Sequence, residues 1–113
     1  MNVHQWDVVK VRIRPEDKDE HPAVVFSREE WCQDERRRVL NVMYCTTARP
    51  GVATSPCEVA LNGADGLERK TLVSCEHIYT VPKAALSAVI GRVALERRRQ
   101  IGRIIVQSFR LPL

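Results

Sequence analysis

Side chains able to do chemistry gather at the end of one late, strand-like segment. Glu76-His77-Ile78-Tyr79-Thr80 carries a carboxylate, an imidazole, a phenol and a hydroxyl in direct succession, and Ser74 precedes them. Side chains alternate along a strand, so Glu76, Ile78 and Thr80 share one side and His77 and Tyr79 the other. If Ile78 is buried, Glu76 points toward the core side and needs a partner or an open groove there; a bulge would change that assignment. His21 is a second candidate, as a general acid or base, set against the plainer reading of a solvated residue at a strand start. Thr46 ends another strand, where β propensity alone would also place it.

Four cysteines, Cys32, Cys45, Cys57 and Cys75, include no C-x-x-C pair and no close Cys/His cluster. A zinc site needs ligands converging at bonding distance, and this spacing does not suggest one. No metal or other cofactor is expected. The thiols are expected to be free and mostly buried, behaving as small hydrophobes.

These residues need elements to hold them. Asp7 to Ile13 alternates Val9, Val11 and Ile13 with Lys10 and Arg12, the pattern of a strand with one buried face. Arg14 to Glu20, with Pro15 and a run of acids, reads as a loop. Pro22-Ala23-Val24-Val25-Phe26-Ser27 is a continuous apolar run and a buried strand. Arg28 to Arg38 is charged around Trp31, as a short helix or an exposed loop. Val39 to Thr46 is a third strand. Thr47 to Pro56, with two prolines and a glycine, is a loop. Cys57 to Leu61 alternates again, Asn62 to Gly66 is turn chemistry, and Thr71 to Ile78 is the fifth strand. Pro82 marks a helix start, with Lys83 to Val89 as a short helix. In Leu95 to Phe109, Ile101, Ile104, Ile105 and Ser108 recur at helical spacing with arginines mainly opposite. Pro112 follows the helix. Five short strands and a terminal helix imply a mainly β domain with some α: a small, strongly bent sheet or open barrel with the helix packed on it.

The 113 residues fit one domain spanning 1–113, large enough to bury a core without disulfides or metal. Hydrophobic residues at 44% and charged residues at 28% argue against disorder. No apolar run is long enough to span a bilayer. Met1 to Asp7 has neither the basic start nor the apolar stretch of a signal peptide, so a cytoplasmic protein is expected. The net charge of +4 suits an anionic partner, and it is unevenly spread. Glu16 to Glu20 is an acidic patch, whereas from Gly91 onward Glu96 stands alone against Arg92, Arg97, Arg98, Arg99, Arg103 and Arg110. The Arg97-Arg98-Arg99 run reads as a solvated helix face, or as a site for an acidic tail or RNA backbone.

Several short segments recur in a recognisable order. Trp6-Asp7-Val8-Val9 lies near the start, His21-Pro22-Ala23-Val24-Val25 is followed by Ser27, and a strand ends in Cys45-Thr46-Thr47. Val73-Ser74-Cys75-Glu76-His77-Ile78-Tyr79-Thr80-Val81 precedes Lys83 and Leu86, and Gly91-Arg92-Val93 leads into the last helix. Over nearly the whole chain this resembles the MazF/PemK family, the toxins of bacterial toxin–antitoxin pairs. The resemblance rests on order and spacing, since no single segment is specific.

The resemblance implies a small SH3-like (CcdB/MazF-like) barrel with a C-terminal helix, and a homodimer paired with a cognate antitoxin that has an acidic tail. It also implies metal-independent cleavage of single-stranded mRNA. In that chemistry the ribose 2′-hydroxyl attacks the adjacent phosphate to leave a 2′,3′-cyclic phosphate. A base takes the 2′-hydroxyl proton, an acid protonates the leaving 5′-oxygen, and a cation or donor holds the charged phosphorane. Carried over, Thr46 matches the family's active-site threonine and Glu76 the acid of its acid-Gln-Ile-Arg-Thr segment. Thr80 matches that segment's threonine, and Ser74 lies where some members carry a basic residue. The implied catalytic set is His21, Thr46 and Glu76, with Ser74, His77, Thr47 and Thr80 as RNA contacts.

His21 departs from the pattern, standing where the family has an arginine before proline. Arginine is always charged and offers a fixed fork of donors; histidine offers at most two donors and is cationic only near or below its pKa. His77 likewise replaces glutamine and Tyr79 replaces arginine. These changes leave open a non-catalytic member that binds RNA or a partner protein, as the similar CcdB-type gyrase inhibitors do. A plain interaction domain with no toxin role is the third possibility.

Overall fold

The computed structural model describes residues 1–51 and 54–113. Its elements run β1 (Asp7–Val11), β2 (His21–Val25), α1 (Glu29–Gln33), β3 (Val39–Thr47), β4 (Glu58–Leu61), β5 (Thr71–Pro82), β6 (Leu86–Arg92) and α2 (Leu95–Phe109). The strands form one antiparallel sheet in the order β4-β5-β3-β2-β1-β6. The outer strands β4 and β6 do not pair with each other, so the sheet is open rather than a closed barrel.

The sheet is buried on both faces, which explains the unbroken apolar runs. On one face Val8, Val24, Met43, Cys45 and Val73 pack with Val59 and Leu61 of β4 and with Ile101 and Ile105 of α2. On the other, Val9, Val11, Ala23, Val25, Leu40 and Val42 pack with Val81 and Leu86, and Cys32 of α1 joins them. Neighbours along a strand point to opposite faces, so Val8-Val9 and Val42-Met43 fill two cores at once. β1 is therefore not the half-buried strand its alternation suggests: Val8 is as buried as Val9.

Several sequence expectations change, and one left open is settled. Lys83 to Val89 is not a helix. A 3-10 turn over Lys83–Ala85 leads directly into β6, which pairs with β1 from Leu86 to Arg92. So short a segment cannot nucleate a helix stably by itself, and β1 offers it a ladder of hydrogen bonds instead. Arg28 to Arg38 contains the short helix α1, with Trp31 between the guanidinium groups of Arg28 and Arg37 at 4.5 and 3.7 Å from its ring centroid. β5 runs four residues past Ile78, to Pro82. Thr47 belongs to β3, and the loop expected from Thr47 to Pro56 includes residues 52–53, which lie outside the described residues. The helix expected over Leu95 to Phe109 has those limits.

One buried carboxylate fastens α2 to the sheet. Asn62 to Gly66 forms a 3-10 turn in which Asp65 is almost wholly buried. Asp65 Oδ1 accepts from the Ala94 amide at 2.7 Å, capping a helix whose own Ala94 has no capping side chain. Its Oδ2 accepts from Arg97 Nε at 2.9 Å and from the Asn62 amide at 3.0 Å. The turn also presses on Gly91, where a Cβ would collide with the Asp65 carbonyl oxygen and crowd Leu67. Only glycine fits there.

The four thiols are free, with Cys32, Cys45 and Cys75 buried and Cys57 half-buried. Burial pushes the Cys75 thiol up to about 12, and burial raises Cys45 further. Among the described residues no helix is long and apolar enough to cross a membrane.

Two outcomes follow. Asp65→Ala strands an arginine and the first amide of α2, and should cost about 3 kcal/mol in denaturant unfolding; a loss under about 0.5 kcal/mol would show that the carboxylate does not anchor the helix. A thiol reagent at neutral pH should label Cys57 first in the folded protein, with Cys45 and Cys75 reacting only at the rate of unfolding. Early labelling of Cys45, read by peptide mass, would contradict the burial.

Candidate active site

The site is built on a mismatch between β3 and β5. Met43 pairs with Ile78 and Cys45 with Val73, so the single residue Tyr44 lies opposite the four residues Ser74 to His77. This bulge resets the alternation of β5. Val73 before it and Cys75 within it enter the core beneath α2; after it, Ile78 does so, while Tyr79 and Val81 turn to the other face. Glu76 and His77 are thrown into solvent, and the bulge is closed by its own side chains, with Ser74 Oγ 2.5 Å from His77 Nδ1. The expectation that Glu76 points coreward if Ile78 is buried fails for this reason. Ile78 does pack against the core, but the bulge lies between the two residues' fates. Bulges often re-aim side chains beside active sites.

On the face that Tyr79 shares, the register lines up a row of rings across three strands. Ala23 pairs with Tyr44, and Val42 with Tyr79. His21 Nδ1 lies 3.4 Å from the Tyr44 hydroxyl, with ring centroids 5.2 Å apart. Tyr44 and Tyr79 meet edge to face at 6.2 Å. Tyr44, Tyr79 and His77 line a cleft of about 310 Å³ with Ile13, Arg14 and Asp17 from the β1–β2 connection. The β2–β3 pairing runs from Val25–Val42 to Ala23–Tyr44 and stops short of His21 and Thr46, neither of which lines the cleft.

The other expected residues divide. Thr46 and Thr47 are exposed at the end of β3. Thr47 lines a neighbouring groove of about 630 Å³ that includes Pro22, Lys10, Glu20 and Arg69. Thr80 lies on the opposite face of β5, where its Oγ1 accepts from Asn41 Nδ2 at 3.0 Å, and it does not reach the cleft. The arginine run is not a uniform solvated face either. Arg97 is bound to Asp65, and Arg98 Nε donates to the Val93 carbonyl at 2.8 Å, leaving Arg99 and Arg103 exposed.

Three cleft residues escaped sequence reasoning: Arg14, Asp17 and Tyr44. Tyr44 was findable, because it stands two residues before Thr46 on the same side of a strand. Arg14 and Asp17 lie in a segment legible only as a loop. There the Arg14 amide donates to Asp17 Oδ2 at 3.1 Å and the Asp17 amide to the Arg14 carbonyl at 3.0 Å, a turn closed in both directions. The Tyr79 hydroxyl, then Asp17 and Glu16, hold the Arg14 guanidinium above its ordinary value. It is charged at every physiological pH.

The arrangement offers proton-transfer groups, phenol and hydroxyl donors, and one fixed cation around a small opening, with rings on which a base could stack. Known proteins share the fold that carries it. A mycobacterial endoribonuclease is similar over 100% of this chain and 96% of its own, with a TM-score of 0.79 at 19% identity. The Mycobacterium tuberculosis toxin MazF-mt6 is similar over 95% of this chain and 99% of its own, with a TM-score of 0.76 at 20% identity. A MazE–MazF structure from Deinococcus radiodurans covers 99% of both chains, with a TM-score of 0.76 at 12% identity. Likeness at such identities establishes the fold. No curated protein sequence matches the chain significantly. A family does: the one described as "PemK-like, MazF-like toxin of type II toxin-antitoxin system" matches residues 4–109. The chain belongs to the PemK-like, MazF-like toxins of type II toxin–antitoxin systems.

Proposed function

We propose that the protein is an endoribonuclease toxin that cuts single-stranded mRNA without a metal, leaving a 2′,3′-cyclic phosphate. The observation that carries this reading is the ring row His21-Tyr44-Tyr79, whose two tyrosines line one cleft with His77 of the bulge. His21 is the proton-transfer group best placed by its contacts, since the Tyr44 hydroxyl orients its imidazole. Thr46, exposed near the end of β3, donates its hydroxyl to a phosphate oxygen. Glu76, exposed on the bulge, serves as the base for the 2′-hydroxyl. Ser74 and His77 contact the RNA at the bulge, and Thr47 does so where the strand opens into the larger groove. Thr80 drops out of this set, because it faces the other side of the sheet. Tyr44 and Tyr79 add ring faces on which bases stack, each such contact being worth roughly 1–3 kcal/mol.

The partners follow from the same reading. A mycobacterial relative has been solved as an endoribonuclease with its cognate antitoxin, which supports an antitoxin partner for this chain. The antitoxin's acidic tail would meet Arg99 and Arg103, the exposed arginines of α2. The protein acts as a cytoplasmic homodimer.

A second reading is favoured by one feature, the histidine in place of a permanent cation before Pro22: a member that binds RNA without cutting it. Incubating purified protein with mixed-sequence RNA and excess chelator separates the two. Cleavage to fragments with cyclic phosphate ends is expected, falling by about 100-fold or more in His21→Ala and in Thr46→Ala. RNA bound but left intact by the wild-type protein would establish the binding-only reading, and full activity in both variants would remove His21 and Thr46 from the mechanism.

A further inference from the structure

The attack of a 2′-hydroxyl builds negative charge on the phosphorus oxygens, and that charge must be held by a donor already in place. The groups assigned so far leave this task unfilled. His21 and His77 carry charge only when protonated, a threonine hydroxyl is neutral, and Glu76 repels. Lys10 is cationic but lines the larger groove.

The geometry points to Arg14 as the fixed cation that grips the scissile phosphate in the small cleft. This rests on the endoribonuclease reading above. Arg14 is the one lysine or arginine among the residues that line this cleft. It reaches the cleft from the β1–β2 connection, a different element from the strand that carries His21. Its backbone is set by the reciprocal turn with Asp17. Its side chain lines the cleft together with Tyr79, and Tyr79 stacks edge-on to Tyr44, whose hydroxyl meets His21. The succession Arg14, Tyr79, Tyr44, His21 thus runs from a permanent charge at one end to a proton-transfer group at the other. A phosphate seated in the cleft would take the guanidinium fork on its non-bridging oxygens, with His77 at the same opening.

Asp17 makes the assignment sharper. Its carboxylate lines the same cleft and acts on the Arg14 charge when no RNA is bound. An exposed arginine beside solvent-screened carboxylates is only weakly neutralised by them. An RNA phosphate can therefore take the guanidinium at small cost, and the acid then repels any phosphate not held by Arg14. That division suits a cleft meant to seat one phosphate in one place.

The test compares wild-type protein with Arg14→Ala and Arg14→Lys. Cleavage of a short single-stranded RNA and binding of the same sequence with 2′-deoxyribose, which cannot be cut, are both measured across a salt series. Arg14→Ala should lower kcat/KM by about 100-fold, and Arg14→Lys should recover only part of it, having charge without the fork. The slope of log affinity against log salt should fall by about 0.7 in Arg14→Ala, the signature of one lost phosphate contact to a single strand. Because Arg14 is exposed, its melting temperature should match the wild type, which separates lost chemistry from lost fold. If Arg14→Ala cuts and binds as the wild type does while His21→Ala fails, the inference is overturned and the enzyme reading stands. If the wild type cuts nothing yet binds the deoxy strand through Arg14, the enzyme reading falls and the phosphate site stands. If it neither cuts nor binds, both are lost.

Discussion

Tyr44 opposite four residues of β5 is the constraint on which the working face depends. Without the bulge, β5 would alternate regularly, and Tyr79 would fall on the face of Val73 and Cys75, beneath α2. The three extra residues turn the strand over, so its first half serves one core and its second half the other. The hinge between the halves is the only stretch where β5 sends consecutive polar side chains outward. Chemistry and fold meet there: the irregularity that lets one strand close two cores also presents Glu76 and His77.

Burial on both faces makes such a hinge tolerable. A sheet with one wet face can slip or flatten, but here a register shift on β3 would expose Leu40 and Val42 from one core and Met43 from the other. The C-terminal helix adds a second lock. Asp65 interlocks with Gly91 and Ala94 across two separate stretches of chain, so α2 cannot slide along the sheet without uncapping itself or colliding with the turn. Ile101 and Ile105 then cover the half of β5 that precedes the bulge. The working face is therefore pinned from behind.

Much of this was legible in the sequence, and the rest was hidden for identifiable reasons. The terminal helix was readable because Ile101 and Ile105 keep helical spacing over many residues. β6 was not, because Pro82 and a short apolar run fit a helix start equally well until β1 offers a partner edge. His21 and Thr46 could be nominated only by resemblance. Thr80 was nominated on the same grounds and faces away, because strand parity cannot be counted through a bulge that leaves no mark in residue types. Arg14 left no trace at all: a loop arginine announces charge but not direction.

The placement of Arg14 bears on how a family fold survives the loss of a characteristic side chain. Holding a phosphate and moving a proton are separable tasks, and only the second needs a group that titrates near neutrality. An arginine before Pro22 would serve the first task from β2. A histidine there surrenders the permanent charge but gains a proton-transfer group, and the Tyr44 hydroxyl is positioned to orient it. The charge can then come from any element that reaches the same opening, and the β1–β2 connection is free to supply it because, beyond Ile13, it contributes little to the core. Strands that fill two cores at once have little such freedom. Divergence in this site is thus expected to concentrate in the loop side of the cleft, while the strand side is held by packing.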